Sequence, residues 1–269
     1  MTGTTNKLAI FALSNKGGVG KTMLAKAFTD HLRQAAKPAA IFDTDGDVKG
    51  LLKLYGQREA DGQFINDPLN HVGYFDMQRA DDREHIINAA ESKAPILFFD
   101  TPAGSIRKIF TGQRSAERFV KTFNEEGYTV VLMLLVDPYD DTIDGVQMAI
   151  ELFGDSARYV VWKNMARAEA RDFIYFEPKS ALPDAEPVFA GDSGEPVSAR
   201  ELVESYKGLV YEIPDLPLRT NARIRRHQLR FSQAAAAGSA LQVNDRALLR
   251  EWLESMDASF ARMLGELGA

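Results

Sequence analysis

The chain has 269 residues, 45% of them hydrophobic and 26% charged, which suits one large globular domain or a domain with an elaboration. A net charge of −6 argues against coating nucleic acid through overall charge but leaves room for a local basic patch, and the absence of cysteine excludes a disulfide framework, a thiolate metal site and an iron–sulfur cluster. The four histidines (His31, His71, His85, His227) have no metal-ligand spacing, no apolar run approaches the roughly 18 residues that span a bilayer, and the polar Met1–Lys7 approach does not read as a secretory signal, so a soluble cytoplasmic protein is expected.

Leu8–Leu13 reads as a buried strand that ends at a glycine turn. Met23–Gln34 follows as a helix with Leu24, Ala27, Phe28 and Leu32 on one face. Ala39–Phe42 is a second strand, running into Asp43-Thr44-Asp45-Gly46-Asp47. A short helix is expected near Leu51 and Leu52, a third strand over His71–Phe75 and a helix over Asp81–Ser92. "PILFF" (Pro95–Phe99) is a strong strand ending at Asp100. Ser115–Glu126 reads as a helix and "YTVVLMLLV" (Tyr128–Val136) as a strand. Thr142–Phe153 reads as a helix capped by Asp140 or Asp141, and Arg158–Trp162 as a strand. Residues 164–207, rich in Pro, Gly, Asp and Glu, read as an irregular excursion. Leu209–Ile213 returns as a strand, Arg219–Ala237 as a helix, and a C-terminal packing helix (245–267) starts near Asp245. Strands alternating with helices predict an α/β fold: a mostly parallel, twisted sheet covered on both faces, in a single domain over 1–269.

The stretch Lys16-Gly17-Gly18-Val19-Gly20-Lys21-Thr22 lies between a predicted strand and a predicted helix. Such a loop cradles phosphate because glycines let backbone N–H groups converge on the anion, and the helix adds its positive end. Gly20-Lys21-Thr22 fits the end of G-x-x-x-x-G-K-[ST], but Asn15 stands where the first glycine belongs. Asp43 and Asp45 follow the second strand and Asp100 the fourth predicted one. Ligands bind at the carboxyl ends of strands in such sheets, so all three can face the loop. Mg²⁺ takes oxygen ligands and keeps waters, and Thr22 and Asp100 can supply oxygens. The plain alternative for Asp43, Asp45 and Asp47 is a solvated Asx turn, and Asp47 has no clear role.

"KGGVGKT", "DTD" and "DTPAG" resemble the motifs of the ParA/MinD family of deviant Walker ATPases, in element order over roughly residues 7 to 240. The resemblance implies a P-loop NTPase fold and ATP with Mg²⁺ as cofactors, held by Gly17, Gly18, Val19, Gly20, Lys21, Thr22 and Met23. It implies that Lys16 crosses to the nucleotide of a partner protomer in an ATP-dependent homodimer, while Lys21 serves its own. Asp45 would position the attacking water, Asp43 would support the metal with Thr22, and Asp100 would be the Walker B acid. Thr101, Pro102, Ala103 and Gly104 would form the γ-phosphate switch, and Asn164, Pro214 and Asp215 would contact adenine, although Asn164 can equally cap a strand end. Met23 replaces a second hydroxyl, and the Pro-Gln common after the acid pair is missing, which bears on the subfamily.

No acidic residue lies between Leu216 and Asn244, and Arg219, Arg223, Arg226 and Arg230 fall on one face of the predicted helix, beside Arg225. That stripe is a candidate track for a DNA backbone, with a solvated face as the alternative. ParA relatives bind nonspecific DNA through such residues. The resemblance is to the short type, which leaves site recognition to a centromere-binding or adaptor protein that stimulates hydrolysis; a nucleoid-associated, cytoplasmic switch for DNA partition is expected. The last helix is acidic, unlike a membrane-surface helix, so no stable membrane insertion is expected. The other readings are a MinD-like or cargo-positioning ATPase for a membrane, conjugation or secretion assembly, and an ATP-dependent ligase or synthetase with its substrate pocket within 164–207.

Overall fold

A computed structural model of the chain describes residues 6–46, 48–110, 112–166, 168–190 and 195–269. Asp47 and part of the 164–207 stretch lie outside the described residues.

The elements run β1 (Lys7–Leu13), α1 (Lys21–Gln34), β2 (Ala39–Asp43), α2 (Leu52–Tyr55), β3 (Gly73–Tyr74), α3 (Glu84–Asn88), β4 (Ile96–Asp100), α4 (Ser105–Ile109), α5 (Gln113–Glu125), β5 (Tyr128–Val136) and α6 (Asp140–Phe153). They continue as β6 (Arg158–Asn164), β7 (Phe189–Ala190), β8 (Pro196–Val197), α7 (Ala199–Ser205), β9 (Leu209–Ile213), α8 (Leu218–Arg226), α9 (Phe231–Ala235) and α10 (Val243–Leu267). Among the described residues, seven strands form one sheet in the order β3-β2-β4-β1-β5-β6-β9, every pair parallel. The chain moves one way from β1 into β2 and β4 and the other way into β5, β6 and β9. β1 therefore stands at the switch point, where a crevice opens at the strand ends.

The alternation of strand side chains builds two cores. Leu8, Ile10 and Ala12 of β1 face α1 and α10, together with Phe98, Met133 and Trp162. Ala9, Phe11 and Leu13 face α5 and α6, and Phe11 stacks on Phe99 with ring centroids 4.5 Å apart. Both faces being apolar explains why β1, β4 and β5 read as unbroken hydrophobic runs.

Several expectations change in detail. The helix expected over Asp81–Ser92 is α3 between two 3₁₀ turns, and Lys93 closes it in the left-handed region at φ 56°. α4 was not anticipated, being one short turn after a glycine. α6 starts at Asp140 without a side-chain cap, so Asp140 and Asp141 act on the helix dipole from its first turn instead. The single helix expected over Arg219–Ala237 is two. α8 stops at Arg226, Gln228 turns left-handed (φ 50°), and buried Asp30 of α1 accepts both the backbone N–H and the hydroxyl of Ser232, fixing the start of α9. The last helix begins at Val243, two residues early, and its Asp245 is buried under Thr220.

The 164–207 stretch is better ordered than its composition suggests. Phe173 and Phe176 are fully buried, β7 pairs with β8, and a reciprocal Ser198–Glu201 cap opens α7. A buried ion cluster ties this stretch to the sheet. Lys163 Nζ, 2% exposed, lies 2.6 Å from Glu177 Oε1 and 4.6 Å from the Phe173 ring centroid, and Arg200 Nε donates to Glu177 Oε2 at 2.6 Å. Burial pushes the Glu177 carboxyl up, but the hydrogen bonds from Arg200 and Lys163 outweigh it and hold Glu177 below its usual range.

Candidate functional site: a glycine loop at the sheet switch point

The glycine loop fills the turn between β1 and α1. Gly18 (φ 87°) and Gly20 (φ 106°) occupy the left-handed region, where only glycine sits without strain. Gly20 ends the loop as the N-cap of α1, so the first N–H groups of that helix face the crevice. A side chain on Gly17 or Gly18 would meet nothing within 4 Å, so open space lies over the loop. Val19 is buried and anchors the loop to the core.

The two lysines of the loop part company. Lys21 is buried and points inward, its Nζ 2.7 Å from Asp100 Oδ1. Lys16 is half-exposed at the mouth, 2.8 Å from Asp141 Oδ2 and 5.1 Å from the exposed Tyr139 ring. The hydrogen bond to Asp141 holds the Lys16 ammonium above its usual range. Asn15, in place of the first glycine, donates to the backbone carbonyl of Asp141 at 3.0 Å, and Gly145 leaves room for it: a Cβ there would lie 2.9 Å from Asn15 Cβ.

The carboxylates converge on the same crevice. Asp43 pairs with Asp100 in the β2–β4 register. Asp43 is 2% exposed; its Oδ2 accepts the N–H groups of Leu51 and Leu52 at 2.9 and 2.8 Å, and its Oδ1 accepts that of Asp45 at 3.2 Å. Burial, reinforced by the Asp100 charge, pushes Asp43 up to about 6 despite these bonds. Asp43 thus organises the loop that carries Asp45, and the same loop seats Gly50 on Thr22, where a Cβ would come within 2.7 Å of Thr22 Cγ2. Asp45 is partly exposed and accepts from Val48 N.

The residues Thr101–Gly104 lie against the start of the glycine loop. Thr101 Oγ1 donates to the Ala12 carbonyl at 2.7 Å, and Gly104 N to that of Ser14 at 2.8 Å. On the other side, Asn164 at the end of β6 donates through Nδ2 to the Val19 carbonyl at 2.6 Å and accepts from Ala166 N at 3.0 Å. Asn164 pairs with Ile213 in register, which brings Pro214 beside it; Trp252 Nε1 fixes the Pro214 carbonyl at 2.8 Å, and Asp215 is exposed. Met23 packs near Asn221, whose amide reaches its sulfur at 3.7 Å.

The arginines do not form the expected single stripe. Arg230 lies beyond the end of α8, donating to the Leu54 carbonyl at 2.9 Å over the Tyr55 ring, and Arg223 is bound to Asp245 and Gln242. Arg219, Arg225 and Arg226 are exposed. Sequence reading missed Asp141 as a partner for Lys16, Gly50 as the residue against Thr22, and the Lys163–Glu177–Arg200 cluster. None carries a motif; Asp141 alone had a signal, as a helix-start acid.

The residues fit a magnesium nucleotide. Open space above left-handed glycines suits phosphates, and the strained charge of Asp43 beside Asp100 is what a cation relieves. Among the described residues no group of three or more acid or histidine side chains could hold a metal ion. Among the described residues no helix is long and apolar enough to cross a membrane.

No family model matches the chain, and no curated protein matches it. Among solved structures, the MinC:MinD cell division protein complex of Aquifex aeolicus matches with a TM-score of 0.53 at 14% identity, over 96% of each chain. The MinD cell division protein of Aquifex aeolicus matches at 0.47 and 16% identity, over 94% of this chain and 96% of that one. The septum site-determining protein MinD complexed with Mg-ADP from Pyrococcus horikoshii matches at 0.43 and 13%, over 93% and 96%. The first of these likenesses carries the conclusion, and it is one of fold: the chain has the parallel α/β architecture of that solved structure.

Proposed function

We propose that the chain is an ATP-dependent dimeric switch with weak ATPase activity, used to position or segregate DNA. One observation carries the reading: two lysines on one glycine loop stand in different places, Lys21 buried on Asp100 and Lys16 at an exposed mouth. A single lysine suffices to hold one set of phosphates. The exposed Lys16 is available to a second protomer.

The Mg²⁺–ATP complex, when bound, supplies the phosphoryl group that passes to water. The N–H groups of Gly17–Thr22 hold the phosphates, and Lys21 moves from Asp100 to meet their charge. With Mg²⁺ present, Asp100 and Thr22 would be the residues that hold it, with Asp43 keeping the Asp45 loop in place. Asp45 is the partly exposed acid of the group and orients the attacking water. Lys16 of one protomer adds positive charge at the other's phosphates, where negative charge develops during transfer. Thr101–Gly104, hydrogen-bonded to Ala12 and Ser14 just ahead of the glycine loop, relays the state of the phosphates to α4. Asn164 and Pro214 border the loop on the base side, and Asn164 exchanges Val19 for adenine.

The exposed α8 arginines supply the DNA contact in this reading. Their test is the anisotropy of a random-sequence duplex under ATP. Replacing Arg219, Arg225 and Arg226 together by alanine is expected to flatten the dependence of log affinity on log salt by about 3, since each lost phosphate contact removes about 1 from that slope. ATP binding is expected to persist. An unchanged slope removes α8 from the DNA site.

A MinD-like role, positioning a protein or membrane assembly, is the second reading. Two observations favour it: the match to a MinC:MinD complex, and the engagement of Arg223 and Arg230 inside the fold. The ligase reading is weakened. Among the described residues of the stretch that would hold its pocket, Phe173 and Phe176 are packed into the core and Glu177 is paired with Lys163 and Arg200.

A further inference from the structure

A cleft of about 560 Å³ opens at the β3 edge of the sheet, lined in part by Asp43, Asp45 and Gly46 and by no residue of the glycine loop. That volume is in the range of small-ligand sites. Its floor is apolar, from Phe42, Phe75 and Pro68, and its walls carry Asp45, Asp76 and Asp82 against Lys49 and Arg79. The buried Asp43 also borders it, with both oxygens already taken by backbone N–H groups. Among the described residues, four carboxylates against two cations leave the lining net negative.

The wall carboxylates are half engaged. Asp45 Oδ1 accepts Val48 N, Asp76 Oδ1 accepts Gln78 N and Asp82 Oδ2 accepts Asp76 N, each at 2.9 to 3.2 Å. The second oxygen of each takes no hydrogen bond among the described residues. Lys49 Nζ lies 5.9 Å from the ring centroid of Tyr74, which also lines the cleft, and forms no ion pair with these carboxylates among the described residues. A guanidinium or ammonium on an aliphatic stem matches this lining: the stem lies on the phenylalanine floor and the charge meets the free oxygens.

The cleft is also joined to the Asp45 loop. Gly46 runs so close to Asp76 that a Cβ would lie 2.6 Å from its carboxylate, and the backbone ties Phe75 and Met77 to Asp43 and Thr44. We propose that this cleft binds a cationic group, from a free alkyl-guanidine or amine or from a partner's arginine or lysine side chain, and that occupancy shifts the Gly46 backbone next to Asp45. The site does not depend on the ATPase reading, and its test needs no nucleotide.

The test is an NMR titration of the nucleotide-free protein with agmatine and with N-acetyl-arginine amide, at constant ionic strength. N-acetyl-citrulline amide, neutral and of similar shape, is the control. Saturable shifts of the His85 ring and the Gly46 amide are expected with one common affinity, absent with the citrulline compound. Replacing Asp76 and Asp82 by asparagine is expected to weaken binding about tenfold, as loss of two half-exposed ion pairs implies. Lys49→Gln, which removes a competing cation, is expected to tighten it about threefold. The opposite sign of the two variants separates binding from general damage to the fold. Binding of agmatine alone assigns the site to a free amine, and binding of both to an accessible side chain as well. Shifts equal for the citrulline compound, or insensitive to both sets of variants, overturn the proposal.

Discussion

Lys21→Ala is expected to destabilise the nucleotide-free protein by about 3–5 kcal/mol, the cost of leaving one member of a buried ion pair without its partner. Lys21 and Asp100 are 8% and 3% exposed and 2.7 Å apart. Asp100 also stands beside Asp43 in register, so removing the lysine leaves two buried carboxylates facing each other. Asp100→Asn in the same chain is expected to recover most of the loss, because a neutral amide needs no counter-ion. Urea denaturation of the two single variants, the double variant and the parent measures the coupling. Additive effects would mean that the pair carries no stability. ATP binding is expected to vanish in Lys21→Ala even where the fold is restored, which separates the two duties of this lysine.

Glu177→Gln is expected to cost a similar amount, about 3–5 kcal/mol, by stranding the fully buried Lys163 ammonium. Among the described residues only Glu212, 55% exposed and 3.3 Å away, remains to meet it. The effect is expected to depend on pH with a definite sign. Because Glu177 is held below its usual range in the folded protein, the stability it contributes is complete above its unfolded value of 4.5 and is lost as pH falls through the lower folded value. The gap between parent and variant should therefore be full at pH 7 and shrink on acidification below about 4.5. Denaturation midpoints at several pH values check this. A gap that widens toward acid would show that Glu177 is not the anion of the cluster. Proteolysis within residues 165–190 should accelerate in the variant, since the cluster is what ties this stretch to β6.

The sheet was legible because buried parallel strands are short apolar runs, and β1, β4, β5 and β9 fall where those runs lie. The glycine loop was legible for a similar reason: its glycines, lysines and threonine each answer a local demand of phosphate geometry. What escaped depends on contacts between distant segments. The break between α8 and α9 is set by Asp30, some 200 positions away from Ser232, while the local sequence reads as one helix. The same break removed Arg230 from the stripe. Residues 164–207 looked irregular from composition, yet their order comes from Phe173, Phe176 and a charge cluster whose members are 14 and 23 positions apart. Asp141 was legible as a helix-start acid but not as a counter-ion for Lys16, because nothing in the sequence says that β5 lies beside β1.

The measurement that bears most directly on the account is the mass of the Asp45→Ala protein in solution, by light scattering after chromatography, under Mg²⁺–ATP and under Mg²⁺–ADP. The expected result is a dimer with ATP and a monomer with ADP, and a monomer in both once Lys16→Ala is added while ATP binding survives. A single mass under both nucleotides, or an ATP dimer indifferent to Lys16, would contradict the switch.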